Sequence, residues 1–533
     1  MKNTINSDAF LGGQNINTVI HNAHLTPAGK HNIYGIDLFS CLYGWTKEYL
    51  RGDIDKKAAV AEYRRYAREN ESTLRDIFEK EGLSYSADGR LYSLVGTREL
   101  NVYTYDRMLI DLISEYAERH PEFNYKVNQY YSAEDELYTL QMINERMQSG
   151  SKDIVDIYCV PDVYSREVIK GEFSRHACTY RELGIDVDAA LKKADIPQHV
   201  IDAGSNPDGE LIALPYVTGA NVFMYRRSIA RDVWGTDDPD KIAGIIGAGA
   251  DKWDRFLEAA QTLKEHGCYM VPGLTDLSFM IDSSPAASFM KSDDEREINP
   301  KWLEFMDVSK SMLDRGYMKG TQYWSEEWSK ALNGKGDKPV FGFVIPYEYI
   351  SFLSKDDNYL KSTAGDWAIC LPPFKTSMGN FTGILVNKDS PNKDALGPLI
   401  EWLTLDISET GLQYSLANDT LIDKNRREYE YLGGKWPVTS GTILKNTDSS
   451  IDFLGGQNID PVLYDALIKQ KGKHNYWSSG SSVFSRWLEQ MNAYLTGEKD
   501  RETAVADYKK AENKMIISFN ERLKEHGISF RLP

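Results

Sequence analysis

The chain of 533 residues is poor in basic charge: 62 Lys and Arg stand against 79 Asp and Glu, a formal net charge of −17. That balance argues against a nucleic-acid partner and against docking on an anionic membrane surface. No basic run or basic-aromatic stripe offsets it. Cysteine is scarce. Cys41, Cys159, Cys178, Cys268 and Cys370 are scattered, with no CxxC pair. An odd number without spacing excludes a disulfide framework and a zinc site of the usual kind, so most read as buried small hydrophobes and leave the compartment open. No apolar run is long enough to span a bilayer, and the leader MKNTINSDAF has no apolar signal-peptide core. Catalytic signatures are missing too: GxSxG, a P-loop, HExxH, GxGxxG after a strand and a DxDxDG calcium loop are all absent. His21 and His24 in HNAH, near His31, hint at a metal. The second copy of that region has YDAL instead, so a solvated helix face is the expected reading and no metal is assigned.

What is present in excess is aromatic: 32 Tyr and 11 Trp. Tyr suits half-wet recognition surfaces as well as cores. The length calls for two or more domains.

One stretch occurs twice. Residues 2–16 read KNTINSDAFLGGQNI and residues 445–459 read KNTDSSIDFLGGQNI, identical at eleven of fifteen positions. The likeness continues through GKHN (29–32 and 472–475), YLRGDIDKKAAVAEY against YLTGEKDRETAVADY, and EGLSY against HGISF. A separation of about 443 residues is far beyond solenoid or propeller periods. Each copy carries apolar residues at helical spacing, such as Val60, Tyr63, Tyr66, Leu74, Ile77 and Phe78. Residues 1–91 are therefore expected to be a helical segment repeating the C-terminal region, packed on the body of this chain or a neighbouring molecule.

Beyond it the texture changes. LNVYTY, NYKVNQYY, DIVDIYCV, GELIALPY, ANVFMYRRSI, PVFGFVIP and TGILVNKD read as strands. LIDLISEYAERHPEF, ELYTLQMINERMQSG, WDRFLEAAQTLKEHG and DALGPLIEWLTLDI read as helices between them. Such alternation predicts an α/β fold with βαβ units and a parallel sheet. Asp156, inside a buried strand run, is expected to be structural, and Trp253, at a helix start, to be packing.

In this order the landmarks resemble the extracellular solute-binding proteins of carbohydrate ABC importers, the maltose-binding-protein-like group. HPEFNYKV, DIVDIYCVPDVY, NPDGELIALPYVTGANVFMYRRSI, WDRFLEAAQTLKEHG, WSKALNGKGDKPVFGFVIPYEY and GILVNKDSPNKDALGPLIEWL carry the resemblance, over roughly 95–533. YRRS stands where the group has YNKD, PVFGF replaces its small-Met pair, and the first 90 residues fall outside it. The resemblance implies a two-lobe periplasmic-binding-protein-like fold of type II with a hinge. One lobe would be about 97–213 and 380–415, the other about 221–375 and 420–533, with crossings near 214–220, 376–382 and 416–420. It implies no cofactor and no catalysis. The expected partners are a carbohydrate and permease subunits, in an exported protein tethered as a lipoprotein by a signal this chain does not carry.

A sugar needs flat apolar rings for its C–H faces and fixed polar groups for its hydroxyls. In loops after the strands, where α/β folds hold ligands, the candidates are Tyr105, Asp106, Asp162, Tyr164, Tyr216, Thr218, Trp324, Trp328, Tyr347, Glu348, Tyr349, Asn380, Phe381 and Thr382. Tyr347 aligns with the group's stacking Trp. Asp162 also suits a helix cap. Trp324 and Trp328, four apart, share one helical face that serves equally as core or platform. The alternatives are a glycoside hydrolase, which needs two carboxylates at a set separation that nothing here singles out, another carbohydrate-active enzyme, a binder of a peptide or polyamine, and a scaffold.

Overall fold

The computed structural model describes residues 98–104, 107–131, 154–159, 166–219, 221–281, 288–292, 295–322, 325–354, 360–374, 383–418, 438–469 and 480–525, with short pieces at 55–58, 60–61, 65, 83–85, 91–93, 146–147 and 420–421. Most of the first copy of the repeat, the HNAH stretch and the expected packing of residues 1–91 therefore lie outside the described residues; the described pieces of that copy are helical at 56–58, 60–61 and 65 and a strand at Leu83–Tyr85.

The chain divides into two units: Met1–Val102 with His120–Tyr131, and Tyr103–Arg119 with Ser132–Pro533. The first contains β1 (Leu83–Tyr85), β2 (Leu91–Ser93), most of β3 (Arg98–Thr104) and β4 (Tyr125–Tyr131), in the order β1-β2-β4-β3. Both β1 and β4 run antiparallel to β2. Leu100, Val102, Phe123, Tyr125 and Val127 are buried. The buried Asn128 amide nitrogen donates to Asn101 Oδ1 at 2.9 Å inside the layer.

The larger unit holds β5 (Ile157–Cys159), β6 (Leu214–Pro215), β7 (Asn221–Arg226), the hairpin β8 (Ser288–Ser292) and β9 (Glu295–Ile298), β10 (Gly342–Pro346), β11 (Trp367–Cys370), β12 (Gly383–Val386), and the hairpin β13 (Ser450–Ile451) and β14 (Gln457–Asn458). Its strands make two sheets. In the first, β12 lies between β5 and β6; in the second, β7 lies between β10 and β11. Their runs are apolar throughout: β5, β11 and β12 are buried at every position, as strands covered on both faces should be. Pro346, which cannot donate to a ladder, closes β10.

Register shows how the sheets are joined. Pro215 pairs with Gly383 in the first sheet, and Phe223 pairs with Cys370 in the second. The chain thus leaves β6, runs through 216–220 into β7, and returns from β11 through 371–382 to β12. An outgoing and a returning strand must lie antiparallel. The pairs of β7 with β10 and β11, and of β12 with β5 and β6, are antiparallel accordingly, while the bridges Tyr269–Val340 and Val271–Met318 are parallel.

Tyr180 splices the first sheet. Its fully buried hydroxyl donates to Ile384 O at 3.0 Å and accepts from Leu214 N at 2.9 Å. Tyr180→Phe leaves both backbone groups short of a partner and should lower stability by about 1–3 kcal/mol, read as a shift in the denaturant midpoint. An unchanged midpoint would show that the strands hold without it.

Asp156 is structural: Ser390 Oγ and Asn392 Nδ2 both donate to Oδ1, at 2.5 and 3.1 Å, fixing the turn that leads into helix Lys393–Thr404. In helix Asp254–Glu265 the buried Phe256, Ala259, Ala260 and Leu263 recur at three- and four-residue spacing, and Trp253 at its start packs on Phe374 with ring centroids 4.5 Å apart. These join the core around the second sheet. Helices Gly480–Leu495 and Arg501–Glu525 complete that core, with Trp487 between Trp302 at 5.6 Å and Tyr508 at 5.0 Å. The four described cysteines are buried and in no disulfide.

Beyond the third passage expected near 416–420, residues 422–437 lie outside the described residues, and the chain after them is tied to both sheets. Ser440 Oγ donates to Ala194 O at 2.7 Å, Thr442 Oγ1 to Lys193 O at 2.8 Å, and Lys445 pairs with Asp195 at 2.8 Å, so helix Gly441–Asn446 is tied to the first-sheet side. Residues 450–458 are tied to the second: Arg227 donates to Leu454 O at 3.0 Å, and Gly365 N to Phe453 O at 2.8 Å. Helix Asp460–Lys469 then returns to helix Gly441–Asn446, with Lys445 Nζ 4.6 Å from the centre of the Tyr464 ring and the Tyr464 hydroxyl donating to Asp195 Oδ2 at 3.5 Å.

The second copy of the repeated stretch acquires a structural meaning here. Gly455 and Gly456, at φ 67° and 79°, turn the chain where a side chain would be strained. Gln457 then clasps the edge of β11, its amide donating to Ile369 O and accepting from Ile369 N, each at 2.8 Å. A side-chain amide so replaces one rung of a missing strand.

Candidate functional site

β7 begins and β10 ends at one end of the second sheet, where Asn221 pairs with Pro346. The Asn221 amide donates to Phe279 O at 3.1 Å, bringing the chain after helix Leu274–Ser278 to the same end. Tyr347 follows Pro346 directly and opens helix Tyr347–Leu353. The passage 216–220 arrives there from the first sheet. Topology thus gathers Tyr216, Thr218, Asn221 and Tyr347 where the chain passes between sheets.

Tyr216 and Tyr347 are each 1% exposed and Thr218 is 4% exposed. The Thr218 hydroxyl has no hydrogen-bond partner among the described residues. Tyr349 is half-buried, and Glu348 is placed on the same helix. Tyr105, Asp106, Asp162, Tyr164, Trp324, Asn380, Phe381 and Thr382 lie outside the described residues.

Trp328 resolves the choice between core and platform in favour of core. It is fully buried on helix Glu326–Leu332, which Ser325 caps. Its ring meets Phe343 of β10 at 6.4 Å in an edge contact. Its Nε1–H donates to Asp276 Oδ1 at 3.1 Å. Tyr216 and Tyr347 are nearly as enclosed, but they stand beside the passage between the sheets, and Trp328 is held within one sheet's core by Asp276 and Phe343.

Asp276 was not legible as a special residue, since LTDLS reads as an ordinary helix start. Its carboxyl is fully buried, and Oδ2 has no hydrogen-bond partner among the described residues. Burial pushes its pKa up to about 7, against the partial relief of the Trp328 indole and the backbone N–H groups of Asp276 and Gly273. Gln413 is a second such residue. Fully buried, it joins the passage at Tyr216 to Thr439 and Ser440 through its side-chain amide. No signal in one sequence marks it. Among the described residues no group of His, Cys, Asp and Glu is set to hold a metal ion, and no helix is long and apolar enough to cross a membrane.

No protein-family model and no curated protein matches the chain. Solved structures do. An extracellular solute-binding protein of family 1 superposes with a TM-score of 0.59 at 14% identity, covering 78% of this chain and 99% of its own. This is the two-lobe, type II solute-binding fold. The same fold is shared with the sugar-binding protein MalE of Xanthomonas citri, with a TM-score of 0.52, 13% identity and coverage of 79% and 99%. It is also shared with the galacto-N-biose-/lacto-N-biose I-binding protein of a Bifidobacterium longum ABC transporter, seen with lacto-N-biose, with a TM-score of 0.51, 16% identity and coverage of 81% and 99%. In a solute-binding fold the two sheets are the two lobes, and the passages joining them are the hinge.

Proposed function

We propose that this protein is the substrate-binding component of an ABC importer, capturing a carbohydrate by hinge closure and handing it to permease subunits. The observation that carries the reading is the set of paired passages between the sheets, with Tyr216, Thr218, Asn221 and Tyr347 gathered beside them. Aromatic faces and buried hydroxyls meet the two demands of a sugar, and hinge closure removes both from water. The sugar ligands of similar structures support the same class, an oligosaccharide, with no catalytic role. One lobe comprises about 97–213 and 380–415, with helix Gly441–Asn446 tied to it; the other comprises about 221–375 and the rest of the C-terminal region, with helices Gly480–Leu495 and Arg501–Glu525 in its core. In its native form the protein is exported and tethered at the outer face of the membrane as a lipoprotein.

A thermal-shift screen against oligosaccharides, with product analysis of the same mixtures, tests the class. A stabilising glycan with no product formed is expected. Turnover would instead favour a glycoside hydrolase, and stabilisation by peptides or polyamines alone would favour another solute. For the glycan so found, Tyr347→Ala should weaken binding by about 1–3 kcal/mol, roughly tenfold to a hundredfold in Kd, in titration calorimetry on folded protein. Unchanged affinity places the sugar elsewhere.

A further inference from the structure

Gln413 sits in helix Leu412–Asn418, with no surface exposed. Its Nε2 donates to Tyr216 O at 2.8 Å and to Leu403 O at 3.3 Å. Its Oε1 accepts from Thr439 N at 2.9 Å and Ser440 N at 3.3 Å. A carboxamide is the one neutral group of this length that offers donors to one side and an acceptor to the other. Around it, Thr439 Oγ1 donates to Pro215 O at 3.2 Å. Every partner belongs to the first lobe or to the point where a passage leaves it. Leu403 lies on the helix that covers β12, Tyr216 follows β6, and Ser440 is bonded to Ala194.

Two stretches of chain that leave the first lobe therefore start from one side chain. We propose that Gln413 is the anchor of the hinge: a positioning residue that fixes both stretches to the first lobe at Tyr216 and at Thr439–Ser440 and confines bending to the residues beyond them. Hinges absorb rotation in a few residues beside rigid elements. Without the anchor the compliant segments lengthen toward β6 and helix Gly441–Asn446, and the lobes sample more orientations. This rests on the two-lobe fold and not on the identity of the ligand.

The test uses the full chain without ligand, so its failure is separate from failure of the carbohydrate reading. Dyes are placed through Lys192→Cys in the first lobe and Glu258→Cys in the second, both exposed positions, the described native cysteines being buried. Single-molecule energy transfer then reports the spread of inter-lobe distances. Gln413→Leu should broaden that spread. Gln413→Glu separates the contacts. A neutral carboxyl donates to Tyr216 O and still accepts, whereas a carboxylate has no proton to donate. Burial raises the pKa of the introduced acid, so the narrow distribution should return at about pH 5 and be lost at about pH 8. Thr439→Val, nearly isosteric, removes only the bond to Pro215 and should broaden the distribution slightly; it keeps the test open if the Gln413 variants do not fold. Lowered melting temperatures with unbroadened, pH-independent distributions would make Gln413 a structural clasp and overturn the assignment, as would an unchanged distribution in Thr439→Val when it alone folds.

Discussion

Trp328→Ala is expected to cost roughly 3–5 kcal/mol of stability, the range for truncating a fully buried Trp. The indole is enclosed in the second lobe, and its loss also removes the Nε1–H bond to Asp276 and the edge contact with Phe343. The surrounding strands cannot close over the gap, because Phe343 is itself held against Trp367 at 5.5 Å. Trp328→Phe keeps much of the volume and loses the donor, so it should cost less, about 1–3 kcal/mol for the uncompensated carboxyl. Urea unfolding followed by circular dichroism reads both. A loss under about 1 kcal/mol for the Ala variant would mean that Trp328 is not packed as described and would reopen its reading as a ligand platform.

The second large effect is a dependence on pH. The Asp276 carboxyl, held up to about 7 by burial from an ordinary 3.8, keeps a proton in the folded chain that the unfolded chain releases. Its contribution is full below about pH 4 and is lost as pH rises through about 7, by at most about 4 kcal/mol. Asp276→Asn preserves an oxygen for the Trp328 indole and cannot ionise. The variant should match the parent near pH 4, gain on it steadily up to about pH 7, and keep a constant lead above that. Unfolding midpoints across that range decide the matter: a constant gap between parent and variant would remove Asp276 as the source.

Much of the fold was legible because local patterns agreed with it. The runs DIYC, FMYR, GFVIP and GILV became strands, and WDRFLEAAQTLKE and DALGPLIEWLT became helices, as their apolar spacing required. Strand direction was legible only in part, since alternation of strands and helices is equally compatible with a chain that crosses to another sheet and returns in antiparallel pairs. The place of helix Gly441–Asn446 was not legible for a related reason. Helix 441–446 is held by backbone oxygens of residues 193 and 194, nearly 250 positions away, and a backbone acceptor leaves no trace in side-chain pattern. The positions of Tyr216, Thr218 and Tyr347 just beyond strand ends were legible. Trp328 illustrates the limit. Helical spacing placed it on a face with Trp324, but which way that face turns depends on Asp276 and Phe343, residues remote in sequence. Asp276 and Gln413 look like any polar residue in a helix, and only enclosure makes them exceptional.

The middle strand of the first sheet comes late. β12 pairs with β5 through Ile384 and Cys159, a separation of 225 residues (384 − 159), and with β6 through Ile384 and Leu214, 170 residues (384 − 214). During synthesis the amino-terminal lobe therefore waits, with β5 and β6 as unpaired edges, until more than two thirds of the polypeptide has been made. Long-range closure of this kind slows folding, and open edges invite association with other nascent chains. The arrangement that gives the molecule its hinge also commits its two lobes to mature nearly together, the first being finished only after the strands of the second have been laid down.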